Sequence, residues 1–216
     1  MPSQRLLAGE LVPQTTVLLT VECQEGVVGE HGALPELASQ ARESGVLENV
    51  ARLVDAAHRA RVQVMHAVAE RRPDGRGANR NARLFRAAER LPVQQVTGTS
   101  AVRVAAPIEV AESDFVVRRL HGLSPVAGTG VEAMLRNLGC RSVVVSGVSV
   151  NVAVSNAVFD LVNAGFGVVV ARDAVAGVPR EYAQAVVRYS LALVAEVVST
   201  GDIVACWERG GRCGPG

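Results

Sequence analysis

Short runs of apolar residues alternate along the chain with longer amphipathic stretches. Thr16 to Val21 (TVLLTV) is continuous, β-branched and brief, the pattern of a strand buried on both faces. Val46 to Ala60 places Val46, Val50, Leu53, Val54 and Ala57 on one helical face. A second strand is predicted over Val62 to Val68, and a third begins at Phe115. Between them, Glu70 to Asn81 is polar and rich in Arg and Gly, the composition of a loop.

The rhythm then becomes regular. Helices are predicted over Gly130 to Leu138, Asn151 to Ala164, Pro179 to Leu193 and Asp202 to Trp207. Strands are predicted over Ser142 to Ser146, Gly167 to Ala171 and Glu196 to Val198. Gly139 and Gly165 stand where a helix can end in a left-handed residue. Alternating strands and helices imply a three-layer α/β/α fold, a parallel sheet covered on both faces. Ligands of such sheets bind beyond the carboxyl ends of the strands. That singles out Glu22 to Gln24, Arg118 to Ser124, Gly147 to Ala153 and Arg172 to Ala176. No repeat or linker divides the chain, so residues 1–208 read as a single domain. The tail, residues 209–216, is expected to be disordered.

Composition narrows the chemistry. With 216 residues, 49% hydrophobic and 20% charged, the chain is large enough for one well-buried globular domain. A net charge of +1 gives no basic surface for nucleic acid or membrane, so neither partner is expected. The sequence contains no lysine, which excludes any mechanism needing a lysine amine. The four cysteines, Cys23, Cys140, Cys206 and Cys213, match no zinc or redox spacing. No signal peptide or apolar run of ~20 residues is present, so a cytoplasmic protein with reduced thiols is the expectation. Gly128-x-Gly130-x-x-Ala133 has the letters of a dinucleotide fingerprint. It lies well past the strand end at Arg119, with Pro125 between and no suitably placed acid beyond it. Neither a phosphate-binding Gly-Lys-Ser/Thr nor a Gly-x-Ser-x-Gly elbow occurs.

The strand ends carry a family likeness. VLLTVECQEGVVG resembles the first strand of isochorismatase-like (cysteine hydrolase) enzymes, in which an acid, usually Asp, is followed two positions later by Gln. Here the pair is Glu22 and Gln24. DFVVRR is similar to the second catalytic strand, which usually ends in lysine, and places Arg119 there. One extra residue before Ser124 leaves Arg118 as the alternative. SPVAGTGVEAMLRNLG continues the likeness. CRSVVVSGVSVNVAVSNAVFDLVNAGFGVVVARDAVAG is the most specific match, and puts Ala153 where the family carries its nucleophilic cysteine. The likeness runs from about Thr16 to Ile203 and is sparse between Val68 and Asp114.

The resemblance implies a six-stranded parallel sheet ordered 3-2-1-4-5-6, a cis peptide between Val148 and Ser149 shaping an oxyanion pocket, and a homo-oligomer. It also implies a site built from Glu22, Arg119 and the Ala153 position, with Gln24, His121, Val148 and Ser149 against a small-molecule substrate. Ala153 has no nucleophilic atom, so covalent catalysis there is impossible. Cys23 adjoins Glu22 on the strand and is expected to point away from it as a buried thiol. The family's metal-binding members carry an Asp-x-His near the end of the second strand. Here His66 lies within that strand and the motif is lacking, so neither metal nor other cofactor is expected.

Within the family, isochorismatases proper also carry a small residue at the nucleophile position. They hydrolyse a vinyl ether by protonating its double bond. Glu22 could deliver that proton: burial favours its neutral form, and a neighbouring arginine opposes this unless a substrate carboxylate neutralises the arginine. Three readings are open. One is a hydrolase acting on a small polar or carboxylate-bearing molecule by acid–base chemistry. The second is an inactive homologue serving as a binding or assembly protein. The third is a lyase or isomerase with Glu22 as proton carrier. Asp173 is expected to cap backbone N–H groups of a loop.

Overall fold

The computed structural model describes residues 11–30 and 32–211. In chain order the elements are β1 (Thr16–Val21), α1 (Glu25–Val28), α2 (Pro35–Glu43), α3 (Val46–Ala60), β2 (Gln63–Ala69), α4 (Arg83–Ala88) and β3 (Phe115–Arg119). Next come α5 (Val131–Asn137), β4 (Ser142–Val148), α6 (Ser155–Asn163), β5 (Gly167–Ala176), α7 (Arg180–Tyr189), β6 (Glu196–Val198) and α8 (Thr200–Glu208). The six strands form one sheet, ordered β3-β2-β1-β4-β5-β6, and every neighbouring pair is parallel. This is the order and direction that the family likeness implied.

β1 lies between β2 and β4, and all six of its residues are buried. Alternation along the strands divides the core in two. Leu18, Val64, Val144 and Val169 face α2, α3 and α8, while Val17, Leu19, Met65, Val143 and Val145 face α5, α6 and α7. Fully burying each of Leu18 and Leu19 contributes about 1.5–3 kcal/mol.

Four expectations are corrected. The helix expected from Asn151 opens instead with a π turn, Val150–Val154, before α6. The helix expected through Leu193 stops at Tyr189, and a separate 3-10 turn spans Leu191–Leu193. Arg209, Gly210 and Gly211, assigned to a disordered tail, close the chain's last described turn by backbone hydrogen bonds to Cys206 and Trp207; residues 212–216 lie outside the described part. Cys206 is disulfide-bonded, so the thiols are not all reduced.

β5 runs five residues beyond the predicted strand. Between Val145 and Gly147 it shifts register against β4, and the bulge carries Asp173. Asp173 Oδ1 accepts from Thr200 N (2.7 Å) and Thr200 Oγ1 (2.9 Å) at the first residue of α8, the capping role expected of it. Asp173 therefore serves the fold, and neither it nor Arg172 lines the site cavity. Among the described residues no helix is long and apolar enough to cross a membrane.

Candidate active site

The carboxyl ends of β1, β3 and β4 converge on a cavity of about 280 Å³. Two backbone features shape its floor. Gly147, at φ 103°, lets β4 run hard against β1: a Cβ there would lie 2.1 Å from Val21 O. The next peptide but one, Val148–Ser149, is cis. Ser149 then heads the π turn, with its carbonyl accepting from Val152 N and Val154 N (both 3.1 Å). Ala153, 4% exposed, sits within that turn on the cavity wall beside Ser149 and Val152.

Glu22 leaves β1 in the left-handed region, at φ 50°, a conformation uncommon for a residue other than glycine. Its N–H still bonds Ala67 O at 2.8 Å, so the strand is anchored up to the turn. Glu22 lines the cavity, whereas Cys23 is buried behind it at 1% exposure, its Sγ packed against the position where a Gly147 Cβ would stand. Burial, aided by the nearby Glu22 charge, pushes the Cys23 thiol up to about 12. Burial and a raised pKa both work against thiolate formation at Cys23. Cys140, on the far end of β4, is likewise pushed up by burial to about 11.

Arg119, the last residue of β3, donates from Nη2 to Glu22 Oε1. Its Nε donates to Gly122 O (3.5 Å), and Gly122 N donates to Asn79 Oδ1 (2.8 Å), which ties the loop after β3 to the polar segment after β2. Arg118 points the other way, 49% exposed, with its Nε 3.4 Å from Glu70 Oε2. Of the two arginines, then, the structure places Arg119 beside Glu22. His121, exposed, stands on the cavity rim.

Two expected contact residues are placed elsewhere. Gln24 is fully buried and is consumed by backbone: its Oε1 accepts from Ala69 N (2.8 Å), and its Nε2 donates to Ala69 O (2.9 Å) and Ala101 O (3.2 Å). A buried amide must find such partners, and these clamp the end of β2. Val148 is 0% exposed in the core on the α3 side and does not reach the cavity. Conversely, the outer wall comes from Leu120, within a strand-end segment already singled out, and from Leu34, Leu37, Leu84 and Phe85, which the sequence did not single out. Leu84 and Phe85 belong to α4, six residues with none buried, too short to show a helical period. Among the described residues no group of three or more His, Cys, Asp or Glu side chains could hold a metal ion.

A parallel six-stranded sheet with an acid, an arginine and a turn leading into a helix at its carboxyl edge defines a class of α/β domain with a small-molecule cavity. The Isochorismatase domain model matches residues 16–202, and the chain belongs to that family. Solved structures agree on the fold. A cysteine hydrolase from Pseudomonas syringae pv. phaseolicola 1448A superposes with a TM-score of 0.80 at 19% identity, over 97% of this chain and 100% of that one. An isochorismatase family protein from Burkholderia thailandensis gives 0.75 at 23% identity, over 93% and 99%. A pyrazinamidase of Pyrococcus horikoshii, in complex with zinc, gives 0.69 at 19%, over 86% and 99%. A search of curated protein sequences gave no match.

Proposed function

We propose that this chain is a hydrolase of the isochorismatase type, acting on a small polar or carboxylate-bearing molecule by acid–base chemistry without a covalent intermediate. One observation carries the reading: Glu22 and Arg119 are paired on the wall of a cavity that Ala153, the residue the family likeness aligns with the nucleophile, also lines, while the nearby thiol, Cys23, is buried. Glu22 is the proton donor. Arg119 orients it and holds the polar end of the substrate. Ser149, Val152 and Ala153 form the wall that the substrate meets on the β4 side of the cavity.

Glu22→Gln keeps the size of the side chain but cannot deliver a proton. Turnover of an identified substrate should fall by ~100- to 10,000-fold. Thiol alkylation without unfolding should leave it intact. Unchanged turnover in Glu22→Gln would sink the acid role, and inactivation traced to Cys23 would show a relocated nucleophile.

A further inference from the structure

The outer face of α7 is open to solvent. Of its ten residues only Ala183 is buried. The chain has two tyrosines, and both, Tyr182 and Tyr189, stand exposed on this helix, two turns apart on one side of it. The apolar run continues past the helix through Leu193, 82% exposed, and Val194. Single exposed apolar side chains are ordinary, but these four large ones are gathered in one short segment, and such gatherings mark interaction surfaces. Tyrosine, with a broad apolar ring and a polar tip, suits a face that is wet alone and dry when paired.

The charges of the same helix complement a reversed copy of it. Glu181 precedes Tyr182 and Arg188 precedes Tyr189, so acid and base lie near opposite ends of α7, about 10 Å apart along its axis. Arg188 lies over the Tyr189 ring, 5.2 Å from its centroid. Among the described residues neither Glu181 nor Arg188 makes an ion pair within its own chain. Ala185 stands midway, small enough for a second helix to approach closely. Two such helices laid parallel set acid against acid and base against base. Laid antiparallel about a two-fold axis at Ala185, they set Glu181 of each copy beside Arg188 of the other, and Tyr182 beside Tyr189. A two-fold contact uses one patch twice, so a helix oppositely charged at its ends is matched to itself reversed.

We propose that α7 is the contact through which two copies of this chain pair, antiparallel about Ala185, with the tyrosines covered and Glu181 and Arg188 joined across the axis. The inference goes beyond the hydrolase reading and does not depend on it. The contact reaches the site through one residue. Asn151, in the π turn that carries Ala153, grips the start of α7: its Nδ2 donates to Val178 O (2.5 Å), and its Oδ1 accepts from Val178 N (2.9 Å). A Cβ on Gly177 would stand 2.2 Å from Asn151 Oδ1, so the amide packs directly against the chain entering the helix. A second copy seated on α7 therefore braces the turn that forms the β4 side of the cavity.

Sedimentation velocity of the full chain, from about 1 μM to about 100 μM, tests the pairing. The expected species is a dimer of twice the 22.6 kDa chain mass. Glu181→Arg and Arg188→Glu should each weaken dimerisation by at least about tenfold, because the two-fold axis doubles every change. Glu181→Arg together with Arg188→Glu in one chain should recover most of that loss, since exchanged signs still match when reversed. Tyr182→Ser with Tyr189→Ser should give monomers with an unchanged circular dichroism spectrum. Amide hydrogen exchange over residues 150–154 should be faster in those monomers than in the dimer. A wild-type monomer throughout the range overturns the proposal and leaves the face to a different partner. A dimer indifferent to the tyrosine and charge variants overturns it by placing the contact elsewhere. Single reversals that weaken without recovery in the double exchange overturn the antiparallel arrangement, and equal exchange over 150–154 overturns the link to the site. If the tyrosine pair misfolds, the charge series decides the pairing alone.

Discussion

β3 begins and ends on a buried polar cluster, and the two clusters differ in completeness. At its start, Asp114 is 1% exposed and fully engaged: Oδ1 lies 2.9 Å from His58 Nε2, while Oδ2 accepts from Ala111 N (2.8 Å) and lies 3.4 Å from His66 Nε2. His66 Nδ1 meets Thr20 Oγ1 at 2.8 Å across β1 and β2. Every member is satisfied by the fold. At its end, Arg119 meets Glu22 but keeps an unpartnered nitrogen beside a cavity. The contrast separates two uses of buried polarity. A completed network fixes structure; a buried donor left unpaired beside a cavity does not add to the fold's stability.

The largest expected effect that sharpens this contrast is on stability. Asp114→Ala strands the His66 N–H and unties α3 from β2 and β3, and should cost about 3 kcal/mol in urea unfolding. Activity per folded molecule should stay near wild type. A loss of activity at unchanged stability would mean that the cluster belongs to the site.

A smaller effect concerns pH. Burial lowers the proton affinity of His66, against the opposing pull of Asp114, while the His58 charge adds to the lowering. In the unfolded chain the same imidazole titrates near its ordinary value of about 6.5. Below that value the unfolded state binds the proton more readily, so stability is fully present above about 6.5 and falls as pH drops toward the folded-state value. Urea midpoints measured between about pH 7.5 and about pH 5.5 should fall more steeply for wild type than for His66→Gln. Parallel slopes would show that His66 is not the group responsible.

The smallest change is expected at the other end of the strand. Replacing both partners, Glu22→Gln with Arg119→Met, removes one buried charge pair together with the orphaned donor. Stability should move by less than about 1 kcal/mol, in either direction, because a buried pair exchanged for neutral groups is often neutral or better. A fall as large as that of Asp114→Ala would show that this pair too is structural, and would erase the distinction.

The sheet was legible because its central strands carry short, mostly apolar runs, TVLLTV in β1 and VVV in β4; β1 and β6 keep the predicted bounds. β4 and β5 were read short, since Gly147, Arg172 and Asp173 end the apolar run while backbone pairing continues beyond it. α2 was missed because its inward face is only Leu37, Ala38 and Ala41 amid charged residues. At the site, Glu22 and Arg119 were visible as strand-end residues, and Ala153 as a residue of the turn after β4, in a family pattern. Gln24 was misplaced because strand alternation stops at Glu22, whose left-handed backbone turns Cys23 and Gln24 onto a new course. The α4 wall had no period to read.

Gly147 has a wider consequence. The shape of this site is held by main chain: a glycine that lets two strands touch, backbone bonds into Glu22 and the turn after β4, and an amide clamp on β2. None of these depends on which reactive groups face the cavity. Such a scaffold can exchange its chemistry piece by piece, a glutamate for an aspartate, an arginine for a lysine, an alanine for a cysteine, without first finding a new architecture. Mutational tolerance should therefore run opposite to intuition. Residues that touch the ligand can be traded and leave a folded protein, whereas Gly147, which reacts with nothing, admits no substitute.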